Sequence, residues 1–437
     1  MLDTHHKALS INLDAKIYGS FAEIGAGQEV ARWFLRVGAA SGTVAKTISA
    51  YDKEVSDDLY GAGTRYVSRA RLEAMLEHEW QLLLRQLGAT READSRLFVF
   101  GDTVSARNFA GTNECHGWVG LRFQTRPGGD PQDVVLHVNL RDGANLLQQE
   151  AVGVLGVNLV HGAFHRRATV EDFLAALFDD LEPGRLEVDF LAFRGAELET
   201  IDPRLVLVEL ARNGRAEAVA FPADGRLVPP TELLHGRSVL LEPGRFAQPG
   251  PVFGDMLTCA LGEFRKELDP DARPPASLYV LPVQPGADGA TSLTAPEVLR
   301  RVDELRANGH GVLVFRHREL YHMSELVNRF TEAPIRFVIG ISTLVEVFQD
   351  RENEALAGSL LEALARLFSR NVRVYAYPMR ADVLAERLDA SFIAVGEGGE
   401  VAGESLVTGD HLSPGYPYGH LYQYLLLTGF IVPLSRG

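Results

Sequence analysis

Apolar positions in the first part of the chain recur at helical spacing. Residues 28–37 carry Val30, Trp33, Phe34 and Val37, and residues 71–87 carry Leu72, Met75, Leu76, Trp80 and Leu84. The pattern predicts a mainly helical stretch to about residue 95. Short apolar runs follow at 97–100, 118–123 and 134–140, the last two joined by the turn-rich Pro127-Gly-Gly-Asp-Pro131. That layout predicts strands and a hairpin. Residues 144–164 then read as a long apolar helix and 170–181 as a second one, closed by Pro183-Gly184.

From residue 186 onward strands and helices alternate. Strand-like runs lie at 186–193, 218–221, 238–241, 278–281, 312–315, 335–341 and 372–377. Helical patterns at 204–212, 256–268, 296–308, 320–330 and 356–369 lie between most of them. Short β-branched runs separated by amphipathic helices indicate parallel strands covered on both faces. The expected fold class is α/β: a multi-domain chain of mainly parallel sheets covered by helices, with a mixed helical and antiparallel N-terminal part. Turn-rich loops at 269–275 and 284–291 are candidate linkers. The expected division is a mixed α+β domain at 1–165, an α/β domain at 166–275, and an α/β domain at 276–437. The last ends in a docked aromatic tail, Tyr416-Pro-Tyr-Gly-His-Leu-Tyr-Gln-Tyr424 followed by the apolar run 425–434.

Composition narrows the function classes. The chain has 437 residues, 46% hydrophobic and 23% charged, which excludes wholesale disorder. Lys+Arg of 43 against Asp+Glu of 58 gives −15, which argues against nucleic acid as the main partner and leaves room for a local basic pocket. Two cysteines and no basic-then-apolar N-terminus suggest a cytoplasmic protein. The longest apolar stretches, 151–164 and 425–434, fall short of the ~18–20 residues of a membrane helix, so no membrane partner is expected.

Four segments concentrate candidate chemistry. In Phe21-Ala-Glu-Ile-Gly-Ala-Gly-Gln-Glu-Val30, Gly25 and Gly27 precede a helix whose amides suit a phosphate, although Val30 stands where a dinucleotide fingerprint has its third glycine. Residues 38–52 gather hydroxyls, Lys46 and Asp52; lysine occurs only at positions 7, 16, 46, 53 and 266, which makes Lys46 conspicuous. Helix capping and turn hydrogen bonds would use the same residues. The segment 101–118 brings Arg107, Glu114, Cys115 and His116 between two expected strands, with Glu114 or His116 as acid–base candidates. His161 and His165 would share a helix face suited to a metal, but no metalloprotease glutamate accompanies them and no metal site is expected. Arg316-His-Arg318 follows a strand end, where an anion could bind.

The runs 21–32, 43–52, Asn113-Glu-Cys-His-Gly-Trp118 and Ile201-Asp-Pro-Arg-Leu205, with Gly340 and 366–368, resemble a family of bacterial cytosolic proteins. Its members carry discordant names, nicotinate-nucleotide adenylyltransferase and TonB-dependent receptor. The adenylyltransferase name implies a His-x-Gly-His element and a Ser/Thr-Arg element; His161-Gly162 and Ile341-Ser342-Thr343 echo them only in part. The receptor name implies a barrel periodicity that the chain lacks.

The expected function is binding of a nucleotide or phosphorylated small metabolite, with Gly25, Gly27, Lys46, Asp52 and Arg107 holding the ligand. No motif specifies a cofactor. A homo-oligomer is expected, and a self-assembling structural protein that uses its aromatic tail is the alternative.

Overall fold

A computed structural model describes residues 2–63, 65–91, 93–167, 169–247, 251–284, 293–348, 356–385, 406–415 and 418–435. The chain divides into two compact units, Met1–Glu217 and Ala218–Gly437, both α/β. The sequence reading instead places breaks near 165 and 275, and both fall where one sheet is still being built. A strand after residue 165 closes the first sheet, and residue 275 lies between two neighbouring strands of the second. All of the candidate linker at 284–291 except Gln284, and the tail residues Tyr416 and Pro417, lie outside the described residues.

The first unit is built on six strands: β1 (Ile17–Ile24), β2 (Val44–Ile48), β3 (Arg96–Ser105), β4 (His116–Phe123), β5 (Gln132–Leu140) and β6 (Leu186–Arg194). Their order is β2-β1-β3-β4-β5-β6; β1 runs parallel to β2 and β3, and the rest form an antiparallel meander. The helices are α1 (Thr4–Leu13), α2 (Glu29–Arg36), α3 (Lys53–Tyr60), α4 (Arg69–Arg91), α5 (Asn145–His165), α6 (Val170–Leu177) and α7 (Pro203–Arg212). The first two strands correct the expectation of a mainly helical start. Central β1 is buried on both faces yet carries Gly19, Ser20 and Glu23, so no apolar run announces it.

Helix α4 covers one face of this sheet, with Leu72 and Leu76 against Gly101 and Gly120. The other face belongs to α5, whose residues 151–164 are all buried. A helix apolar all round needs cover on every side, and α1, α2 and α6 supply it. Gly156 permits the closest approach, since a Cβ there would lie 2.3 Å from Val30 of α2 and 3.0 Å from Phe100 of β3. Helix α5 continues unbroken through Gly162 to His165. Lys7 of α1 is 1% exposed; its ammonium donates to Asn158 Oδ1 and Asp179 Oδ2, each at 2.7 Å.

The second unit has β7 (Ala218–Phe221), β8 (Val239–Pro243), β9 (Ala276–Pro282), β10 (Gly311–Phe315), β11 (Ile335–Gly340), β12 (Val372–Tyr377), the short ribbon β13 (Met379–Arg380) with β14 (Leu406–Val407), and β15 (Ile431–Pro433). The main sheet runs β15-β12-β11-β8-β9-β10-β7, parallel except for β7. From β8 the chain adds β9 and β10 on one side, then returns to add β11, β12 and β15 on the other. That is the doubly wound order, with its reversal between β8 and β11. Helices α8 (Pro230–Leu234), α9 (Pro251–Glu267), α10 (Ala295–Arg306), α11 (Leu320–Phe330), α12 (Ile341–Val347), α13 (Ser359–Leu367), α14 (Ala381–Ala385) and α15 (Tyr418–Leu427) accompany the strands. Helix α10 shows how local sequence sets such an element: Thr294 and Glu297 form a capping box, Pro296 sits in the first turn, and Val298, Leu299, Val302 and Leu305 are buried. The aromatic tail is docked: Tyr422 is buried and donates to the Gly409 carbonyl at 2.7 Å, and β15 extends the sheet beside β12.

Candidate functional site

Strands β1 and β3 point their C-terminal ends to one edge of the first sheet, the edge at which α/β sheets bind ligands. Gly25 lies there at φ +99°, pressed on the neighbouring strand: a Cβ would fall 1.9 Å from the Val104 carbonyl oxygen. Val104 is opposite Gly117, and Ser105 opposite His116. The loop from β3 to β4 supplies Arg107 and Glu114, both exposed. Its backbone is tied down. The Arg107 amide donates to Gln148 Oε1 and its carbonyl accepts from Asn145 Nδ2, each at 2.7 Å, and Asn113 Nδ2 donates to Ser105 Oγ at 2.9 Å and the Ala106 carbonyl at 2.8 Å. Gly25, Arg107, Glu114 and His116 therefore come to one edge.

The other candidates have structural employment. Two α2 amides assigned to a phosphate, those of Val30 and Ala31, donate to Glu23 Oε1 at 2.9 Å and Oε2 at 3.0 Å. The chain's own carboxylate fills that position, and Gly27 at φ +82° shapes the turn into it. Asp52 caps α3, accepting from the Glu54 and Val55 amides at 2.9 and 3.2 Å. Lys46 lies under α4 in an ion pair with Glu79 at 2.5 Å, and Tyr60 donates to the same carboxylate at 3.1 Å. Following the register, Lys46 is beside Ser20, Ser20 beside Val99, and Val99 beside Arg122. His116 lies six residues earlier on β4 than Arg122, about 20 Å along the strand and three strands across. Lys46 and His116 do not share one small ligand.

A chain of side chains behind His116 is the main feature that sequence reading misses. His116 Nδ1 is 3.0 Å from His137 Nε2, and His137 Nδ1 is 2.6 Å from Asp189 Oδ1. Asn139 donates to the second Asp189 oxygen at 2.7 Å. Asp189 accepts the Nδ1 proton of His137, and one further proton is shared between the two imidazoles. His116 Nε2 is then the outer end of a three-residue relay. His137 and Asp189 are buried, whereas His116 is half-buried. Burial, then the neighbouring His137, pushes the His116 pKa down to about 4, so its ring is neutral at pH 7. The three members are 21 and 52 positions apart. A register shift in the β5–β6 pairing next to His137 accompanies their meeting, and periodicity carries no sign of it.

A second missed group is the register pair Glu23–Asp102, each 1% exposed. Burial raises both carboxyls above their ordinary range, and nearby negative charge adds to it, from Glu29 at Glu23 and from Glu23 at Asp102. Asp102 also accepts from the Ile24 amide at 3.2 Å. Elsewhere, His161 and His165 do face each other, with ring centroids 5.0 Å apart, and burial lowers His161 to about 4. A cavity of about 270 Å³ lies at the opposite end of the sheet, lined by Phe123, Val134, Phe173 and Phe193 and rimmed by the Arg167–Glu197 pair. No helix among the described residues is long and apolar enough to cross a membrane.

No family model matches the chain, and no curated protein matches it. Among solved structures, part of the chain is similar to the competence/damage inducible protein CihA from Agrobacterium tumefaciens, at 20% identity and a TM-score of 0.28 over 37% of this chain and 96% of that one. The competence-damaged protein (CinA) superfamily protein from Klebsiella pneumoniae 700603 matches at 11% identity and 0.27, over 37% and 96%. Its counterpart from Enterobacter cloacae matches at 12% and 0.27, over 37% and 92%. Likenesses at this level leave the function to be read from the site.

Proposed function

We propose that the first unit binds a small anionic metabolite, a nucleotide or sugar phosphate, at the C-terminal edge of β1 and β3, with His116 as the proton-handling group. The observation that carries this reading is the relay His116–His137–Asp189, which ends at that edge. Asp189 orients His137 and compensates positive charge on the imidazole pair, as a buried carboxylate does behind a general base. Arg107, exposed on the tied loop that leads into β4, supplies positive charge at the same edge. An anion bound there would raise the His116 pKa from about 4 toward neutrality, where acid–base work is most effective.

A melting-temperature screen against nucleotides and sugar phosphates tests this. At least one compound should raise the melting point by several degrees, with the shift lost in His116→Ala and Arg107→Ala and kept in Lys46→Ala. A panel without any such compound, or an undiminished shift in His116→Ala, would rule the site out. Self-association is a second reading, favoured by Tyr424 and Leu427 of α15, which are 57% and 86% exposed. Light scattering should then show a smaller particle for Tyr424→Ser/Leu427→Ser.

A further inference from the structure

We propose that His317, Glu319 and His322 of the second unit form a binding site for one divalent transition-metal ion of the zinc type. One ligand atom from each lies within 4.8 Å of the others. Zinc takes imidazole nitrogen at about 2.0–2.1 Å and carboxylate oxygen at about 2.0–2.2 Å, so donors around one ion sit roughly 3.3–3.5 Å apart. A closure of at most about 1.5 Å, within ordinary side-chain rotation, brings the three onto an ion.

The local fold explains why they converge. His317 follows the last residue of β10 by two positions, Glu319 is the N-cap of α11, and His322 is in that helix's first turn. N-cap and N3 side chains face each other across a helix start, the geometry that builds a capping box. Here Glu319 and His322 occupy those two positions. The imidazole of His317 stacks on that of His322, with centroids 4.3 Å apart and planes at 30°. Glu319 is held by the Arg318 amide, which donates to its Oε2 at 3.2 Å. His322 Nδ1 is 3.5 Å from Glu325 Oε2, and Arg366 fixes that carboxylate through Nε at 2.5 Å and Nη2 at 2.8 Å. A carboxylate behind one ring nitrogen is the usual support for a histidine that ligates through the other.

Donor chemistry selects the ion. Two imidazoles with one carboxylate suit zinc, cobalt or ferrous iron, whereas calcium and magnesium take oxygen ligands. Three protein ligands leave a coordination position for water or an anion, as in catalytic rather than structural zinc sites. The position also agrees with the fold, because β10 ends at the edge where doubly wound sheets bind ligands. Arg316 and Arg318 lie on the same segment and suit an anionic ligand of the ion.

Asp3, His5 and His6 form another group with the same ligand types, but all three are exposed and Asp3 already caps α1 through the His6 amide at 2.8 Å. The test therefore uses full-length chain carrying His5→Ala and His6→Ala. Titration with Co²⁺ and Zn²⁺ should show one equivalent, micromolar or tighter, with visible cobalt bands and a rise in melting temperature. His317→Ala and His322→Ala should each weaken binding at least tenfold, and Glu319→Gln, which keeps size and fold, should weaken it measurably. Absence of stoichiometric uptake, uptake insensitive to all three substitutions, or equal competition by Ca²⁺ would overturn the proposal. If either histidine variant fails to fold, Glu319→Gln with the cobalt spectrum decides.

Discussion

The two units solve the same packing problem with different interiors. The second unit fills both faces of a parallel sheet with Val, Leu, Ile and Phe and places its histidine–carboxylate cluster beyond a strand end, outside the core. The first unit places ionisable side chains within the sheet itself: Glu23, Asp102, His137 and Asp189 on strands, and Lys7 and Glu79 on helices over them, all nearly inaccessible. Buried polar groups persist where each has a partner, and the first unit supplies one for most of them. The second unit carries two such strand residues: Arg336 of β11, which is paired with Glu267, and Glu242 near the end of β8, whose two oxygens are buried with no hydrogen-bond partner among the described residues. The contrast teaches that a polar interior depends on long-range pairing, while an apolar one depends on pattern.

The strongest challenge to this contrast is Gly25→Ala. It would put a Cβ against the Val104 carbonyl at positive φ, and we expect a loss of about 4 kcal/mol confined to the first unit. Calorimetry should show one transition moving and the other still. If both move together, the units unfold as one and the comparison fails. Asp189→Ala comes next. It strips the buried His137 and the Asn139 amide of their acceptor, for an expected loss of about 3 kcal/mol in the same transition.

Glu242→Gln probes the second unit and has the opposite sign. Burial raises the Glu242 pKa to about 9, against about 4.5 in the unfolded chain. Between those values the unfolded form has lost a proton that the folded form retains, so stability falls as pH rises. Below about pH 4.5 the difference vanishes, and above about 9 it is constant. Glutamine does not titrate, so at pH 8 the variant should be more stable by about 2 kcal/mol or more, and indistinguishable near pH 4. A pH-independent difference would show that Glu242 is ionised in the fold. At the small end, Arg226→Ala removes an exposed partner of Asp224 and should leave both transitions unmoved.

The same contrast governs what could be read from the sequence. Strands β8 to β12 follow apolar runs because both faces are covered, and their expected limits differ from the observed ones by a few residues. Strand β1 hides behind Gly19, Ser20 and Glu23, residues that suit its pairing and not an apolar pattern. Of the site, His116 and the edge it occupies were legible from the polar connection between two strands. His137 reads as one more strand residue and Asp189 as an interruption of an apolar run, because only the β5–β6 pairing brings them together. Lys46 drew notice for its rarity, but a buried carboxylate on α4 accounts for it. His317 was visible only within the basic step Arg316-His-Arg318 after a strand, and Glu319 and His322 drew no notice, because the helix-start geometry that turns the three side chains toward one point is not written in the pattern.

Lys7 also sets a constraint in time. Its partners Asn158 and Asp179 are 151 and 172 residues further along the chain. During synthesis the α1 ammonium has no native carboxylate to meet until that distance has been made, and a lone buried charge is costly. The expected order is that the first helix stays in water while β1 to β5 are being made and docks once α5 and α6 arrive. At 5–20 residues per second, roughly ten to thirty seconds separate the emergence of this helix from its docking. A Lys7→Met chain would lose that delay, and its apolar first helix could close early on the incomplete sheet.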